Sequence, residues 1–217
     1  MKKSAIFLAL TAMTLVMISC KKDKDPAETT KEPVYSQFKA GTYWVYQLFT
    51  VDSAGNATAT NVFDSCYVIK DTIINNLKYV KSFRGSNANL PVPAYAYTRD
   101  SLNYLLALNG FILFSSKDFE TTFYDHYAIT PDNDTLYHVV KKMTDKDMSV
   151  TLPAGTFVTS NCRETYTMYL TNPNAPNPRY KHCRYTGNIG IVCETLPIST
   201  SGTTTTERRL ARYHIVL

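Results

Sequence analysis

Five cysteines are the residues of this chain best suited to covalent chemistry, and Cys20 differs in its setting from the other four. Cys20 follows Ser19 at the end of an uncharged, mostly apolar run that begins at Ser4, and a pair of lysines precedes that run. A basic segment, an apolar segment and a small residue before a processing site form the order that a secretory signal requires. The sequence therefore predicts a signal peptide over residues 1–19 and an exported protein.

The stretch Val16–Cys20 resembles the lipobox of bacterial lipoproteins. The resemblance implies that the thiol of Cys20 is acylated, that the signal is cut before it, and that Cys20 becomes the new N-terminus. Two or more acyl chains hold a protein firmly on a bilayer. We therefore expect a protein anchored to a membrane through Cys20, in the outer membrane of a diderm bacterium and on its periplasmic or its cell-surface side.

A retained membrane span is the alternative reading of this N-terminus, but the apolar run is shorter than the roughly 20 residues that a spanning helix needs. Residues 20–37 carry alternating charges with Pro26 and Pro33, which predicts a flexible tether. The Lys-Asp segment after the cysteine also resembles an export signal to the outer surface, with plain linker composition as the alternative. Residues 38–217 are expected to form a single domain.

Composition limits the classes of function. Hydrophobic residues make up 44% of the chain and aromatic residues 12%, which is enough to bury a substantial core. The formal net charge is +5, part of which leaves with the signal, and no basic stripe follows from so small a surplus. Nucleic acid is therefore not an expected partner.

The alternation of residue types predicts β-strands over almost all of residues 38–217, here called the body. Tyr43–Thr50 is a run of strand-forming residues, and Asn109–Gly110 between two apolar runs predicts a hairpin with a type I′ turn. Thr135–Met143 and Met148–Leu152 read as two strands around a turn. Residues 116–127 are ambiguous, because the aromatic residues fall at helical spacing within a segment of strand propensity, and a short helix is narrowly favoured.

The predicted fold class is all-β, with roughly eleven strands and at most one short helix. A single curved antiparallel sheet, as a half-barrel or a barrel-like meander, is the most economical architecture. The segments 152–157, 187–192 and 210–213 resemble parts of the lipoprotein-carrier proteins. That resemblance implies a curved sheet that partly wraps a hydrophobic cavity.

The four cysteines of the body have an even count, which in an exported chain favours two disulfides. They are Cys66, Cys162, Cys183 and Cys193. We favour Cys162 with Cys183, which leaves Cys66 with Cys193. The alternative is Cys183 with Cys193, which leaves Cys66 with Cys162. Free buried thiols also remain open, whereas zinc is disfavoured because no two cysteines have the spacing of a structural site.

No motif for catalysis or for a cofactor is present. The chain has no Gly-x-Ser-x-Gly elbow, no His-Glu-x-x-His and no phosphate-binding glycine loop, and its four histidines are scattered. Asp132–Asn133–Asp134 begins like a calcium loop but lacks the later ligands. We therefore expect no cofactor, no metal and a protein that is not an enzyme. A hydrolase without a familiar motif is the least favoured alternative.

Sixteen tyrosines and ten phenylalanines are the unusual enrichment of this chain. Packing on a pleated sheet explains most of them, and a ligand-binding face is the functional alternative. The candidates for such a face are Tyr95, Tyr97, Tyr104, Phe111 and Phe114. The leading hypothesis is a non-enzymatic envelope protein that binds an apolar or polymeric ligand, such as a glycan, in the concave face of its sheet. The second hypothesis is an interaction protein that presents the proline-rich loop 171–178 to another envelope protein.

Overall fold

The structure is a computed structural model that describes residues 32–85, 93–169, 176–196 and 203–217. The chain divides into two units, Met1–Glu32 and Pro33–Leu217, and every element below belongs to the second. The predicted signal peptide, Cys20 and most of the tether lie outside the described residues, as does most of the loop 171–178.

The described residues form one antiparallel sheet of twelve strands. In chain order the strands are β1 (Tyr43–Val51), β2 (Ala57–Ile74), β3 (Leu77–Arg84), β4 (Ala94–Ser101), β5 (Tyr104–Ala107), β6 (Ile112–Ser115), β7 (Thr122–Ile129), β8 (Thr135–Leu152), β9 (Gly155–Met168), β10 (Arg179–Thr186), β11 (Gly190–Thr195) and β12 (Thr205–His214). Their order across the sheet is β6-β5-β4-β3-β2-β1-β12-β11-β10-β9-β8-β7. The predicted all-β curved sheet is confirmed, with one strand more than the approximate count.

Asn109–Gly110 does connect two strands, but by a different turn from the predicted one. Gly110 has a φ of +83°, its N–H donates to Ala107 O at 3.0 Å, and Ala107 N–H donates to Phe111 O at 2.9 Å. This is a three-residue connection that ends in a left-handed glycine. The two-residue turn with positive φ at both positions occurs instead at Asn75–Asn76, between β2 and β3.

The short helix predicted within residues 116–127 is wrong, because strand β7 begins at Thr122. Before that strand, side chains take the amide groups that a helix would use. Ser115 Oγ accepts from Lys117 N and Asp118 N, and Asp118 Oδ1 accepts from Glu120 N and Thr121 N. Such local bonds compete with a helix, and the aromatic residues that follow then pair with β8.

The sheet curls until its two ends approach each other. The rings of Tyr104 and Phe123 are 6.1 Å apart, and so are those of Phe111 and Tyr124. The predicted turn at 144–147 is a bulge inside the long strand β8, where pairing with β9 shifts between Thr144 and Met148. Bulges bend a strand and increase its twist, which helps to close a sheet of this size into a barrel-like form.

Residues 33–42, here called the strap, lie immediately before β1. Val34 N donates to Asn188 Oδ1 at 3.1 Å, and Asn188 N donates back to Val34 O at 2.8 Å. Lys39 N donates to Val216 O at 2.8 Å. The strap therefore contacts the β10–β11 turn and the C-terminal segment.

Candidate functional site: the interior cavity

A cavity of about 330 Å³ lies on the concave face of the sheet. Its walls include Val68 and Val80 on β2 and β3, Ala94, Ala96 and Thr98 on β4, Leu105 and Leu113 on β5 and β6, and Tyr185 and Ile191 on β10 and β11. Ala94 and Ala96 are also exposed, so the cavity reaches solvent beside them. Its volume is at the lower end of the range for pockets that bind small molecules.

The strap forms one wall of the cavity through Tyr35, Ser36 and Phe38. Phe38 is 3% exposed, and its ring packs edge-on at 5.3 Å from the ring of Trp44, which lines the cavity too. The indole Nε1 of Trp44 donates to Ile189 O at 2.7 Å. These contacts fix one apolar end of the cavity to the β10–β11 turn.

Four charged side chains from β2, β3, β11 and β12 form a largely buried charge cluster beside the cavity. Arg84 Nε donates to Asp64 Oδ2 at 2.7 Å, and Arg208 Nη1 donates to the same oxygen at 3.3 Å. Arg208 Nε also donates to Glu194 Oε2 at 2.6 Å. Arg84 and Arg208 line the cavity. Because two cations face two carboxylates, the cluster is neutral as a whole.

At Glu194, burial and the neighbouring positive charges shift the carboxyl pKa in opposite directions. Burial would raise the pKa of its carboxyl, but Arg208 beside it, with Lys181 and Arg84 further away, outweighs burial and lowers the pKa. For Arg208 burial favours the neutral form, yet Glu194 and the other neighbouring groups raise its pKa well above the ordinary value. Both groups are therefore ionised at neutral pH.

Two further groups connect the cluster to the cavity wall. The guanidinium of Arg208 lies 4.5 Å from the ring centre of Tyr46, whose hydroxyl donates to Ile191 O at 2.9 Å. Burial raises the pKa of Tyr46 well above the ordinary value. Cys66 Sγ accepts from Arg208 Nη1 at 3.4 Å. Tyr46 and Cys66 both line the cavity.

The cluster leaves two buried polar atoms without a hydrogen bond among the described residues, namely Asp64 Oδ1 and Arg84 Nη2. Arg84 Nη2 lies 2.5 Å from Asp64 Oδ2 but lacks the alignment of a hydrogen bond. The Asp64 side chain is 1% exposed. Both atoms have almost no accessible surface, and Asp64 is not among the residues that line the cavity, so the protein itself encloses this ion pair.

The predicted ligand-face residues do not share one face. Tyr95 and Tyr97 lie on the convex side of β4, where Lys81 Nζ is 4.2 Å and 5.6 Å from their ring centres. Tyr104 donates to Asp118 Oδ2 at 2.7 Å, and Phe111 is 60% exposed beside a smaller pocket. Phe114 is 1% exposed and packs inside, between the rings of Tyr35 and Tyr185 at 4.6 and 4.4 Å. The walls of the cavity come from other residues.

The predicted disulfides are not supported, because all four cysteines of the body are free thiols. Cys162 and Cys183 are direct cross-strand partners, as the favoured pairing assumes. Cys193 is paired with Arg209, whereas Cys66 contacts Arg208 and Cys183 is paired with Glu194. Consecutive residues of a strand point to opposite faces, so Cys193 lies on the other side of the sheet from both. Both predicted connectivities require a bond from Cys193 to Cys66 or to Cys183, across the sheet.

No cluster of three or more histidine, cysteine or carboxylate side chains suited to a metal ion occurs in the described part of the chain. His138 Nε2 is 2.7 Å from Asp125 Oδ1, and its ring stacks on Tyr127 at 4.1 Å. His182 Nδ1 is 2.9 Å from Asn161 Nδ2, and burial lowers the pKa of this histidine. None of the residues that the structure describes belong to an apolar helix of membrane-spanning length.

Sequence reasoning missed the buried charge cluster. A signal was present, because Glu194 follows Val192 and Arg208 precedes Leu210 in the inward phase of their strands. A charged residue in the buried phase predicts a buried partner. The partners lie far away along the chain, so the pairing itself required the strand order.

No protein-family model matches the chain, and no curated protein matches it at a significant level. Among solved structures, a Bacteroides fragilis protein described as exported and of YmcC-like fold is similar, with a TM-score of 0.50 and 13% identity. The alignment covers 84% of this chain and 99% of that one. A Parabacteroides distasonis protein described as a lipoprotein aligns with a TM-score of 0.48 and 14% identity over 83% of this chain and 97% of that one. The similarity to the Bacteroides fragilis protein supports the all-β fold described above.

Proposed function

We propose that this chain is a lipid-anchored, non-enzymatic envelope protein that binds a small, mainly apolar molecule inside its curled sheet. The observation that carries the proposal is the cavity of about 330 Å³ with aliphatic and aromatic walls on the concave face. Pockets of this kind, with few polar groups at fixed positions, are typical of small-molecule sites. The interior is favoured over the convex face because its walls are fixed by buried packing.

The location of the protein is part of the proposal. The apolar run before Cys20 supports export and acylation at that residue. The Bacteroides fragilis protein of similar fold is described as exported, in agreement with this location. The proposed site for the anchored protein is the outer membrane, with the folded body outside the bilayer.

Binding of the fluorescent probe 1-N-phenylnaphthylamine tests the cavity. The full chain with Cys20→Ser avoids the acyl chains, which would themselves bind the probe. We expect saturable fluorescence enhancement with a stoichiometry of one. Ala96→Phe places a ring in the cavity and should weaken binding by about tenfold or more, because overpacking a filled site is costly.

Tyr97→Phe is the matched control, since Tyr97 is on the same strand but on the convex side. It should bind the probe as the parent does. Equal binding by the parent and by Ala96→Phe would show that the probe does not enter the cavity. No saturable binding by the parent would contradict the proposed function.

A further inference from the structure

We infer that the convex face of the sheet carries a second binding site, separate from the cavity, and that this site takes an acidic polysaccharide. The site is a row of aromatic side chains on five neighbouring strands, here called the aromatic row. Its members are His214 on β12, Tyr43 on β1, Tyr67 on β2, Phe83 on β3 and Tyr95 on β4.

Strand register places the aromatic row in one line across the sheet. Tyr43 is the direct partner of His214 on one side and of Tyr67 on the other, and Phe83 is the direct partner of Tyr67 and of Tyr95. The ring centre of Phe83 lies 5.3 Å from those of Tyr67 and Tyr95, and the rings of Tyr43 and His214 are 5.9 Å apart. Because neighbouring strands lie about 4.8 Å apart, the row extends over about 19 Å.

The rings of the aromatic row are open to solvent. Tyr43, Tyr67 and Tyr95 are 41%, 45% and 59% exposed. His214 is exposed as well, and Phe83 is half-buried between its two neighbours. Single exposed aromatic residues are common on protein surfaces, whereas a continuous line of them marks an interaction site.

Positive charges without counter-ions flank the aromatic row. Lys81 is the direct partner of Lys70, and Lys81 Nζ lies 4.2 Å from the ring centre of Tyr95. At the other end of the row, Arg212 is exposed on β12, two residues before His214. Within the described ranges, none of these three cations forms a salt bridge.

The acidic side chains of the same five strands do not balance these charges. Asp64 and Asp100 face the interior, since Asp64 belongs to the buried charge cluster and Asp100 accepts a hydrogen bond from the strap at 3.1 Å. Asp71 and Glu207 each form an ion pair with a basic residue outside the row, at 2.7 and 2.8 Å. The convex face around the row is therefore positive, which the small net charge of the whole chain does not reveal.

An acidic sugar chain fits both the rings and the charges. The C–H faces of sugar rings pack on aromatic side chains, and the phenol groups of the three tyrosines can exchange hydrogen bonds with sugar hydroxyls. Carboxylate groups along such a chain can pair with the flanking lysine and arginine side chains. The aromatic row thus offers a separate partner to each part of the polymer.

The curvature of the sheet favours a flexible chain over a bilayer. The aromatic row crosses the strands and therefore follows the curl of the sheet, so its two ends fall away from any plane laid on its centre. A polymer chain can bend around this surface and contact all five rings, whereas a flat membrane touches only part of the row. Its length of about 19 Å requires an oligomer and not a single sugar.

Calorimetric titration with a defined oligogalacturonate tests the inference on the full chain with Cys20→Ser, at about pH 7.5, where the sugar carboxylates are ionised. We expect saturable binding that weakens as salt is added. The methyl ester of the same oligomer keeps the sugar rings without the charge, and polyglutamate keeps the charge without the rings. Each should bind at least about tenfold more weakly than the oligogalacturonate.

Tyr67→Ala removes the central ring of the aromatic row. It should weaken binding of the oligogalacturonate by about fivefold or more, since each ring contact is lost at a site that nothing else fills. Tyr180→Ala is the matched control, because Tyr180 is also 42% exposed but lies on β10, outside the row. The control should bind as the parent does.

A double variant tests the contribution of charge. Lys70→Gln with Lys81→Gln should weaken binding by about tenfold and reduce its dependence on salt. Lys78→Gln with Lys146→Gln removes the same charge away from the row, since Lys78 pairs with Asp71 and Lys146 lies over Phe119. This control should keep both the affinity and the salt dependence of the parent.

The ligand series on the parent chain decides the outcome even if a variant does not fold. Equal binding of polyglutamate or of the methyl ester would overturn the inference, because the rings or the charges would then take no part. Tighter binding of oligothymidylate, or of vesicles that contain phosphatidylglycerol, would assign the face to a nucleic acid or to a membrane instead. Absence of oligogalacturonate binding would also refute the site, without any bearing on the cavity.

Discussion

Arg208 and Glu194 face each other on β12 and β11, and Nε and Nη2 of Arg208 both lie 2.6 Å from Glu194 Oε2. The two residues are direct register partners in the sheet. Arg208 also reaches Asp64 on β2, so one side chain connects the last strand with strands on both sides. The cluster therefore ties together the two parts of the sheet that enclose the cavity.

Glu194→Gln should destabilise the protein in a pH-dependent way. Removal of one partner from a buried ion pair costs about 3–5 kcal/mol in free energy of unfolding. Because the pKa of Glu194 is lowered in the folded state, its contribution is present above the ordinary glutamate pKa and is lost as the pH falls through the folded value. Urea unfolding should show a difference between parent and variant at neutral pH that shrinks below about pH 4.3.

Asp71→Asn is the control for that experiment, because Asp71 and Lys78 are both well exposed and such pairs contribute about 0–1 kcal/mol. A loss in Glu194→Gln no larger than that of the control would show that the buried pair does not stabilise the sheet.

Phe38→Ala should destabilise the fold through the strap. Phe38 is 3% exposed and packs between Trp44 and Gly190, whose added Cβ would lie 3.3 Å from the Phe38 ring. Truncation of a buried phenylalanine costs about 3–5 kcal/mol in free energy of unfolding. Gln37→Ala, at the exposed neighbouring position, should stay within about 0.5 kcal/mol. Equal effects of the two variants would contradict the packing of the strap.

The buried thiols should resist alkylation in the folded protein. Burial raises the pKa of Cys162 to about 11 and that of Cys193 to about 12, so the reactive thiolate is scarce at neutral pH. Iodoacetamide should modify both within the usual reaction time only in denaturant, as measured by peptide mass spectrometry. Loss of any body thiol in denatured, unreduced protein would instead show that a disulfide forms in the cell.

Cys20→Ser should release the protein from membranes. The prediction follows from the resemblance to the lipobox, in which the acylated cysteine is the anchor. Fractionation in alkaline carbonate should leave the parent in the pellet and the variant in the supernatant. Ser19→Ala keeps a small residue before the cysteine and is the matched control. A Cys20→Ser protein that stays in the membrane would refute the anchor.

Local sequence patterns predicted the parts of the fold that local chemistry controls. The predictions of a strand over Tyr43–Thr50 and of a hairpin at Asn109–Gly110 are correct apart from the turn type, since neighbours in sequence decide both. The helix predicted within residues 116–127 is wrong because backbone amides donate to the side-chain oxygens of Ser115 and Asp118, which overrides the helical spacing of the aromatic residues. Such bonds depend on side-chain orientation, which periodicity does not contain.

The candidate site could not be predicted because it depends on distant pairing. Asp64 and Arg208 meet only because β1 lies between β2 and β12 in the sheet. The position of Cys193 on the opposite face from Cys66 also follows from register, and a shift of one residue would reverse it. Residue types alone specify neither the strand order nor the register.

Quenching of Trp44 fluorescence is the most direct test of a ligand site in the interior cavity. Trp44 is the single tryptophan of the chain, it is 8% exposed, and it lines the cavity. Titration of the Cys20→Ser chain with 10-bromo-1-decanol should quench its fluorescence along a saturable curve, with loss of the effect in Ala96→Phe and retention in Tyr97→Phe. Quenching that rises linearly without saturation, or equally in all three proteins, would contradict a ligand site in the interior cavity.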